Sequence, residues 1–152
     1  MAEHRHWLID DVRVGQEFTW RRGITSADIE ATVRLTGDQG GYHVDEGFAR
    51  QAGFRTVIAP GLLQGSLPTK LGGDLNYLAR EMNYVFLKPV YAGDDLTVVF
   101  RIVAIEREKN RLSVEGEVTN QAGERVLTFR SSGHLPRPEW GVPAKPGRPE
   151  AG

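Results

Sequence analysis

The sequence predicts an α+β fold in which an antiparallel β-sheet packs against one long, buried helix. Residues 82–135 show the two-residue alternation of strands, and two of the breaks between them are short enough for hairpins. The leucines that follow Pro60 instead spread around most of a helix surface, which is typical of a buried helix. The length of 152 residues fits one domain.

Composition excludes several classes of function. The chain has no cysteine, so thiolate catalysis and cysteine-ligated metal centres are excluded. Its 19 basic and 20 acidic residues give a formal charge of -1 without a basic stripe, which argues against nucleic acid as a partner. No apolar run approaches the roughly 20 residues of a membrane span, and the N-terminus shows no signal-peptide pattern. We therefore expect a cytoplasmic protein that does not enter a membrane.

The first part of the chain predicts a strand followed by two short helices. Residues Gly15–Ile24 alternate as a strand, and the pair Thr25 and Asp28 forms a capping-box pattern that predicts a helix over Ser26–Thr36. A glycine-rich turn follows this helix. A second short helix is predicted over Asp45–Ala52.

The predicted buried helix begins at Pro60, where proline suits the first turn. Pro68 is expected to kink this helix or to end it early, because proline removes a hydrogen bond in a helix interior. The leucines assigned to the helix are Leu62, Leu63, Leu67, Leu71, Leu75 and Leu78.

The predicted strands of the second half are Met82–Lys88, Asp95–Glu106, Arg111–Asn120 and Glu124–Leu135. The pair Asp94-Asp95, where the break ends and the strand Asp95–Glu106 begins, is interpreted as a solvated turn. Five of the eight prolines lie at or after Pro136. We therefore expect an N-terminal extension over residues 1–14, one domain over residues 15–135 and a flexible tail over residues 136–152.

Asp38 and His43 are the candidate catalytic pair. A carboxylate and an imidazole five residues apart across a tight loop can converge on one water and share its protons. Spacing alone also allows an ordinary turn aspartate and a structural histidine. The first backbone N–H groups of a helix that begins at Ala59-Pro60-Gly61 could likewise hold a developing oxyanion, or Pro-Gly could be only a turn.

Six sequence blocks occur in an order and at spacings found in one known family. They are Thr36-Gly37-Asp38, Tyr42-His43-Val44-Asp45, Phe48-Ala49, Gly53-Phe54, Ile58-Ala59-Pro60-Gly61-Leu62-Leu63 and Phe86-Leu87-Lys88-Pro89-Val90-Tyr91-Ala92-Gly93-Asp94. Together they resemble the MaoC-like dehydratases, which include (R)-specific enoyl-CoA hydratases. The resemblance covers about residues 15–135, and several ordered blocks are far more specific than any single one.

The resemblance implies a hot-dog fold, in which the sheet wraps around a long central helix. It implies a hydratase or dehydratase that adds water to a 2-enoyl thioester or removes it from a 3-hydroxyacyl thioester. Asp38 and His43 would handle the water, and the N–H of Gly61 would hold the thioester oxygen.

The same resemblance implies further features of the site and of the assembly. Thr69 occupies the place of a supporting hydroxyl on the central helix, and Ser66, Leu62 and Tyr42 are also expected to line the site. The implied assembly is a homodimer with the thioester at or near the subunit interface, and further assembly of dimers is left open. Neither a metal nor a cofactor is expected.

Two departures from the family pattern concern the shape of the site. Gly40-Gly41 stands where relatives usually carry Asn-Pro, and Pro60 stands where they commonly carry His. We expect the first change to loosen the catalytic loop or to make room for a bulkier acyl group. The second removes a side chain from the pocket mouth.

Two other functions remain open at this point. In a hot-dog thioesterase, Asp38 would activate water against the thioester carbonyl. In a non-catalytic acyl-binding subunit of a hetero-oligomer, the pair would have no reaction to perform. The presence of both Asp38 and His43 favours the hydratase. The sequence does not distinguish coenzyme A from a carrier protein.

Overall fold

A five-stranded antiparallel sheet forms one layer of the structure, and its strands lie side by side in the order first, third, fourth, fifth and second along the chain. The structure is a computed structural model that describes residues 7–141, so the predictions for residues 1–6 and 142–152 lie outside it. The strands are β1 Glu17–Gly23, β2 Leu78–Phe86, β3 Asp95–Glu106, β4 Arg111–Thr119 and β5 Arg125–His134.

The helices lie between β1 and β2 in the chain. They are α1 Ser26–Thr36, α2 Gly41–Val44, α3 Glu46–Gln51, α4 Gly61–Ser66 and α5 Pro68–Leu75. Leu67 joins α4 to α5 with helical angles of φ −62° and ψ −39°, so the two segments follow one path, which we call the central helix. Pro68 causes the predicted interruption, because it has no N–H to continue the hydrogen-bond ladder.

The core lies between the central helix and the inner face of the sheet. Leucines 63, 67, 71 and 75 of the central helix are each no more than 8% exposed. They belong to one buried cluster with inward-facing residues of the sheet, among them Val98, Phe100, Ile102, Leu112, Val114, Val118 and Phe129. The predicted α+β hot-dog arrangement of a sheet around a helix is confirmed.

The predicted boundary between the central helix and the next strand is wrong. Asn76 takes left-handed angles, with φ 52°, and its N–H donates to the carbonyl groups of Gly72 and Gly73. This cap ends the helix at Leu75. Leu78 therefore begins β2 and is not the last leucine of the helix, and the strand starts four residues before the predicted Met82.

The chain before β1 also contributes to the core. Leu8, Ile9 and Val12 are each no more than 8% exposed, and Ile9–Asp11 form a 3-10 helix. At the other end, Leu135 is buried, and a second short 3-10 helix covers Pro138–Trp140. Within residues 7–141, none of the helices has the length and apolar character needed to cross a membrane.

Helix α1 begins and ends where its caps predict. Thr25 Oγ1 accepts a hydrogen bond from Asp28 N at 3.2 Å, and Asp28 Oδ2 accepts one from Thr25 N at 2.9 Å. The Thr25 backbone bond, the Thr25 hydroxyl and the Arg22 guanidinium together lower the pKa of Asp28. Gly37, with φ 74°, closes the helix. The chain thus leaves α1 directly before Asp38.

We expect Asp28→Asn to lower the free energy of unfolding by about 1 kcal/mol at neutral pH, because a neutral amide at this position loses the attraction of the carboxylate to the helix N-terminus and to Arg22. The folded state favours the ionised carboxylate, so this stabilisation is present above the pKa of the unfolded chain. It is lost as the pH falls below about 4. Urea unfolding of both proteins from pH 7 to pH 3 should show the difference shrinking. Asp74→Asn, in an exposed ion pair with Lys70, is the control and should change stability little. A difference for Asp28→Asn that is independent of pH would contradict the assignment.

Candidate active site

His43 lies on α2, and its ring is oriented by the main chain. The Nδ1 atom is 2.8 Å from the carbonyl oxygen of Ile58, and the side chain is only 14% exposed. A carbonyl can only accept, so Nδ1 carries the hydrogen of the neutral ring. The lone pair of the imidazole is therefore on Nε2.

Asp38 follows the glycine that closes α1 and is likewise held by a backbone group. Its Oδ1 accepts a hydrogen bond from Gly40 N at 3.0 Å, and its Oδ2 lies 3.5 Å from Nε2 of His43. This separation is too long for a good direct hydrogen bond. The carboxylate is about half exposed, so solvent reaches it.

The arrangement of Asp38 and His43 suits one water molecule. Oδ2 and Nε2 are both acceptors, and a single water has two O–H groups to donate. A water held by both hydrogens presents an oxygen lone pair to a third group. The structure therefore brings the two predicted residues together in a geometry suited to acid–base chemistry on water.

The glycines between Asp38 and His43 are closely packed. A Cβ atom at Gly41 would lie 2.7 Å from Cγ of Phe48. The Phe48 ring also packs edge-on against Tyr42, with 5.0 Å between ring centroids. The space that a side chain at position 41 would occupy is therefore filled by the Phe48 ring and is not free for an acyl group.

Gly61 is the first residue of the central helix, so its N–H has no acceptor within that helix. A Cβ atom here would lie 3.0 Å from Cε1 of Phe86, which brings this helix end against the end of β2. Pro60 precedes it in an extended conformation, with φ −55° and ψ 141°.

Leu62, Ser66 and Thr69 lie on the exposed side of the central helix. The Ser66 hydroxyl donates to the carbonyl oxygen of Leu63 at 2.7 Å, and the Thr69 hydroxyl donates to that of Ser66. Both hydroxyls thus bond to their own helix, as hydroxyls in helices often do. Tyr42 is exposed as well, at 43%, and its ring packs against Phe48 and Phe54 close to Asp38 and His43.

A cleft of about 640 Å³ lies between α1 and the segment that precedes the central helix, and His43 forms part of its wall. Its other lining residues are Ser26, Ile29, Glu30, Val33, Arg34, Val44, Thr56, Val57 and Ala92. This cleft is not predictable from the sequence, because its lining residues come from four separate segments of the chain. Across residues 7–141, no three His, Asp or Glu side chains group in a way that could hold a metal.

A second, smaller cavity of about 220 Å³ lies beside Thr69 and is lined mainly by apolar side chains. The Tyr77 hydroxyl in its wall is 2.9 Å from Ser131 Oγ, and burial raises the pKa of Tyr77. The sequence does not single out Tyr77 or Ser131, because a tyrosine before a strand and a serine within a strand usually have a structural role.

The profile of the family described as "FAS1-like, dehydratase domain region" matches residues 12–129. The chain belongs to this dehydratase family. It is 30% identical over 135 residues to a 3-hydroxybutyryl-CoA dehydratase of Methylorubrum extorquens, covering 84% of this chain and 82% of that protein.

Two further comparisons agree with this membership. The chain is 28% identical to a mitochondrial 3-hydroxyacyl-[acyl-carrier-protein] dehydratase of Arabidopsis thaliana, over 68% of this chain and 64% of that one. The structure of R-hydratase PhaJ1 from Pseudomonas aeruginosa superposes with a TM-score of 0.79 at 26% identity, covering 87% of each chain. The predicted resemblance to MaoC-like hydratases and dehydratases is confirmed, and so is the predicted class of enzyme.

We expect Gly41→Ala to lower the free energy of unfolding by about 1–3 kcal/mol, because the new Cβ forces the Phe48 ring to move. In a Phe48→Ala background the same change should cost less than half as much. Thermal or urea unfolding of the four proteins measures this coupling. Gly73→Ala, at a helical glycine with no atom within 4 Å of the new Cβ, is the control and should be neutral or stabilising. Equal costs in both backgrounds would contradict the contact.

Proposed function

We propose that the protein adds water across the double bond of a 2-enoyl thioester, or removes it from a 3-hydroxyacyl thioester, at Asp38 and His43. The observation that carries the proposal is that Asp38 Oδ2 lies 3.5 Å from His43 Nε2. The hydrogen of the neutral imidazole is held on the other ring nitrogen, Nδ1, by the carbonyl of Ile58. Membership of the dehydratase family supports it.

In the hydration direction, the two acceptors orient the water, and its oxygen attacks the β-carbon. Imidazole is in general the stronger base of the two, so His43 Nε2 takes the proton as the C–O bond forms. The π electrons move to the α-carbon and the thioester carbonyl. The proton is then delivered to the α-carbon, which completes the addition, and dehydration is the exact reverse.

The N–H of Gly61 is proposed to donate to the thioester oxygen as negative charge develops there. This proposal is supported by the position of the Gly61 N–H at the start of the central helix, where the group has no acceptor within the helix. Ser66, Thr69, Leu62 and Tyr42 are proposed to line the substrate site. The relatives act on thioesters of coenzyme A and of acyl-carrier protein, and both carriers are candidates here.

We expect the purified protein to hydrate a short 2-enoyl-CoA, followed by loss of the enoyl absorbance. Asp38→Asn and His43→Ala should each lower kcat by about 10²–10⁴-fold, the usual worth of a positioned acid–base group. His134→Ala is the matched control, because His134 Nδ1 also lies within hydrogen-bond distance, 2.9 Å, of a main-chain carbonyl, that of Asn110. Its kcat should stay within about threefold of wild type.

A panel of CoA and acyl-carrier thioesters with acyl groups of different length and branching extends this test. Release of free thiol without hydration would replace the proposal with the thioesterase alternative. If the protein catalyses neither reaction with any thioester of the panel, the result would favour a non-catalytic subunit.

We also propose that the protein forms a homodimer through the free edge of β2. Among residues 7–141, this strand pairs on one side only, with β5, and it carries exposed apolar side chains. Leu78, Val85 and Phe86 are each about half exposed or more, and Leu62 on the adjoining helix is 63% exposed. An exposed apolar edge strand is normally covered by a partner.

We expect wild type to sediment as a dimer and Val85→Lys to sediment as a monomer, because a lysine on an edge strand opposes pairing. Thr19→Lys, on the opposite edge strand β1, is the matched control and should remain dimeric. Analytical ultracentrifugation measures both. A dimer that survives Val85→Lys but dissociates with Thr19→Lys would move the interface to β1.

A further inference from the structure

We infer that Arg55 is a positioning residue, which holds the His43 ring in its Nδ1–H form by anchoring the main-chain segment 55–59. The inference rests on the role proposed above for His43. Arg55 does not belong to the candidate pair, and its side chain is 64% exposed. Its effect would therefore act through the backbone.

The Ile58 carbonyl, which accepts the hydrogen of His43 Nδ1, is fixed from both sides. Ile58 N donates to the carbonyl of Tyr42 at 2.9 Å, and Ala59 N donates to the carbonyl of Val90 at 2.7 Å. The first bond ties this segment to the helical turn of His43. The second ties it to the chain before β3, so a shift of either would move the carbonyl relative to the imidazole.

Arg55 ties the beginning of the same segment to the same stretch of chain. Its guanidinium carbon lies 4.1 Å from the centre of the Tyr91 ring, and one guanidinium nitrogen lies 3.7 Å from Oδ1 of Asp94. A cation at this distance from an aromatic face is attracted to it. Arg55 thus makes two contacts with the turn at residues 91–94.

Asp94 is a fixed anchor, in contrast to the solvated turn that the sequence predicts. Its side chain is 7% exposed, and its oxygens accept hydrogen bonds from Tyr91 N at 2.8 Å and from Gln121 Nε2 at 2.9 Å. The Asp94 carbonyl also accepts from Ile24 N at 2.8 Å, next to the end of β1. Arg55 therefore connects the segment that orients His43 to a turn held by the sheet.

Loss of this link changes what the imidazole offers to water. If the Ile58 carbonyl moves away from Nδ1, the neutral ring can carry its hydrogen on Nε2 instead. The nitrogen that faces Asp38 would then be a donor, and the pair could no longer hold one water by both of its hydrogens. A neutral histidine in this second form is inactive in the proposed reaction.

The test compares Arg55→Met with Arg50→Met. Arg50 is equally exposed at 64%, but it pairs with Glu46 on α3. Long-range ¹H–¹⁵N spectra in alkaline buffer, where model imidazoles are neutral, identify which ring nitrogen carries the hydrogen. His43→Ala assigns the His43 signals among the four histidines.

We expect wild type and Arg50→Met to show only the Nδ1–H form at His43, and Arg55→Met to show a mixture of both forms. For the hydration reaction, kcat of Arg55→Met should fall about fivefold, while KM should change little. A fivefold change corresponds to the free energy of about one exposed cation–π contact. Arg55→Lys keeps the positive charge and replaces Arg55→Met in both measurements if the Met variant folds poorly. It should lie between wild type and Arg55→Met.

The inference is overturned if Arg55→Met behaves like Arg50→Met in both measurements. It is equally overturned if kcat falls while His43 keeps the Nδ1–H form alone. A wild-type protein without hydratase activity would refute the proposed function. The spectra need no substrate, so they would still decide whether Arg55 positions the His43 ring.

Discussion

Burial of the central helix against the inner face of the sheet is the constraint around which the rest of the structure is arranged. Leu63, Leu67, Leu71 and Leu75 repeat every four residues and are almost fully covered. Burial of one such side chain stabilises the fold by about 1.5–3 kcal/mol. The face of the sheet opposite the helix therefore has to be apolar. The chain that leads into Gly61 has to pass between α2 and the turn before β3, where it meets His43.

The candidate site is held mainly by main-chain groups. Asp38 is oriented by the N–H of Gly40, and His43 is oriented by the carbonyl of Ile58. These partners are set by the path of the backbone and not by the identity of a neighbouring side chain. This explains how the flexible pair Gly40-Gly41 can stand in the loop while the carboxylate and the imidazole still come together. The Phe48 ring supplies packing at position 41 in place of a side chain.

Local signals were sufficient to predict α1 and the three long strands. Thr25 and Gly37 mark the ends of α1 by their own hydrogen bonds and backbone angles, and β3 to β5 alternate between covered and less covered side chains over most of their length. Leu78 was misassigned because it continues the leucine spacing, whereas Asn76 ends the helix through left-handed angles that asparagine adopts only in some contexts. The short helix α2 is not predicted, because Gly40 and Gly41 at its start disfavour a helix.

For the site, the sequence predicted which side chains lie together but not what orients them. The spacing of Asp38 and His43 was a weak signal, and the surrounding family-like blocks made it specific. The Ile58 carbonyl could not be predicted, because every residue has a carbonyl group and only the path of the chain selects this one. The burial of Asp94 was equally hidden, since its partner Gln121 lies 27 positions away.

Two acceptors that lie 3.5 Å apart also define which small groups besides water can bind against both of them. A group with two hydrogens on one atom matches both Asp38 and His43, whereas an ether or carbonyl oxygen would meet two lone pairs and be repelled. A saturated acyl thioester with a primary amine on its β-carbon has such a group in the place of the hydroxyl. Such compounds are a rational starting point for ligands that test the role proposed for this pair.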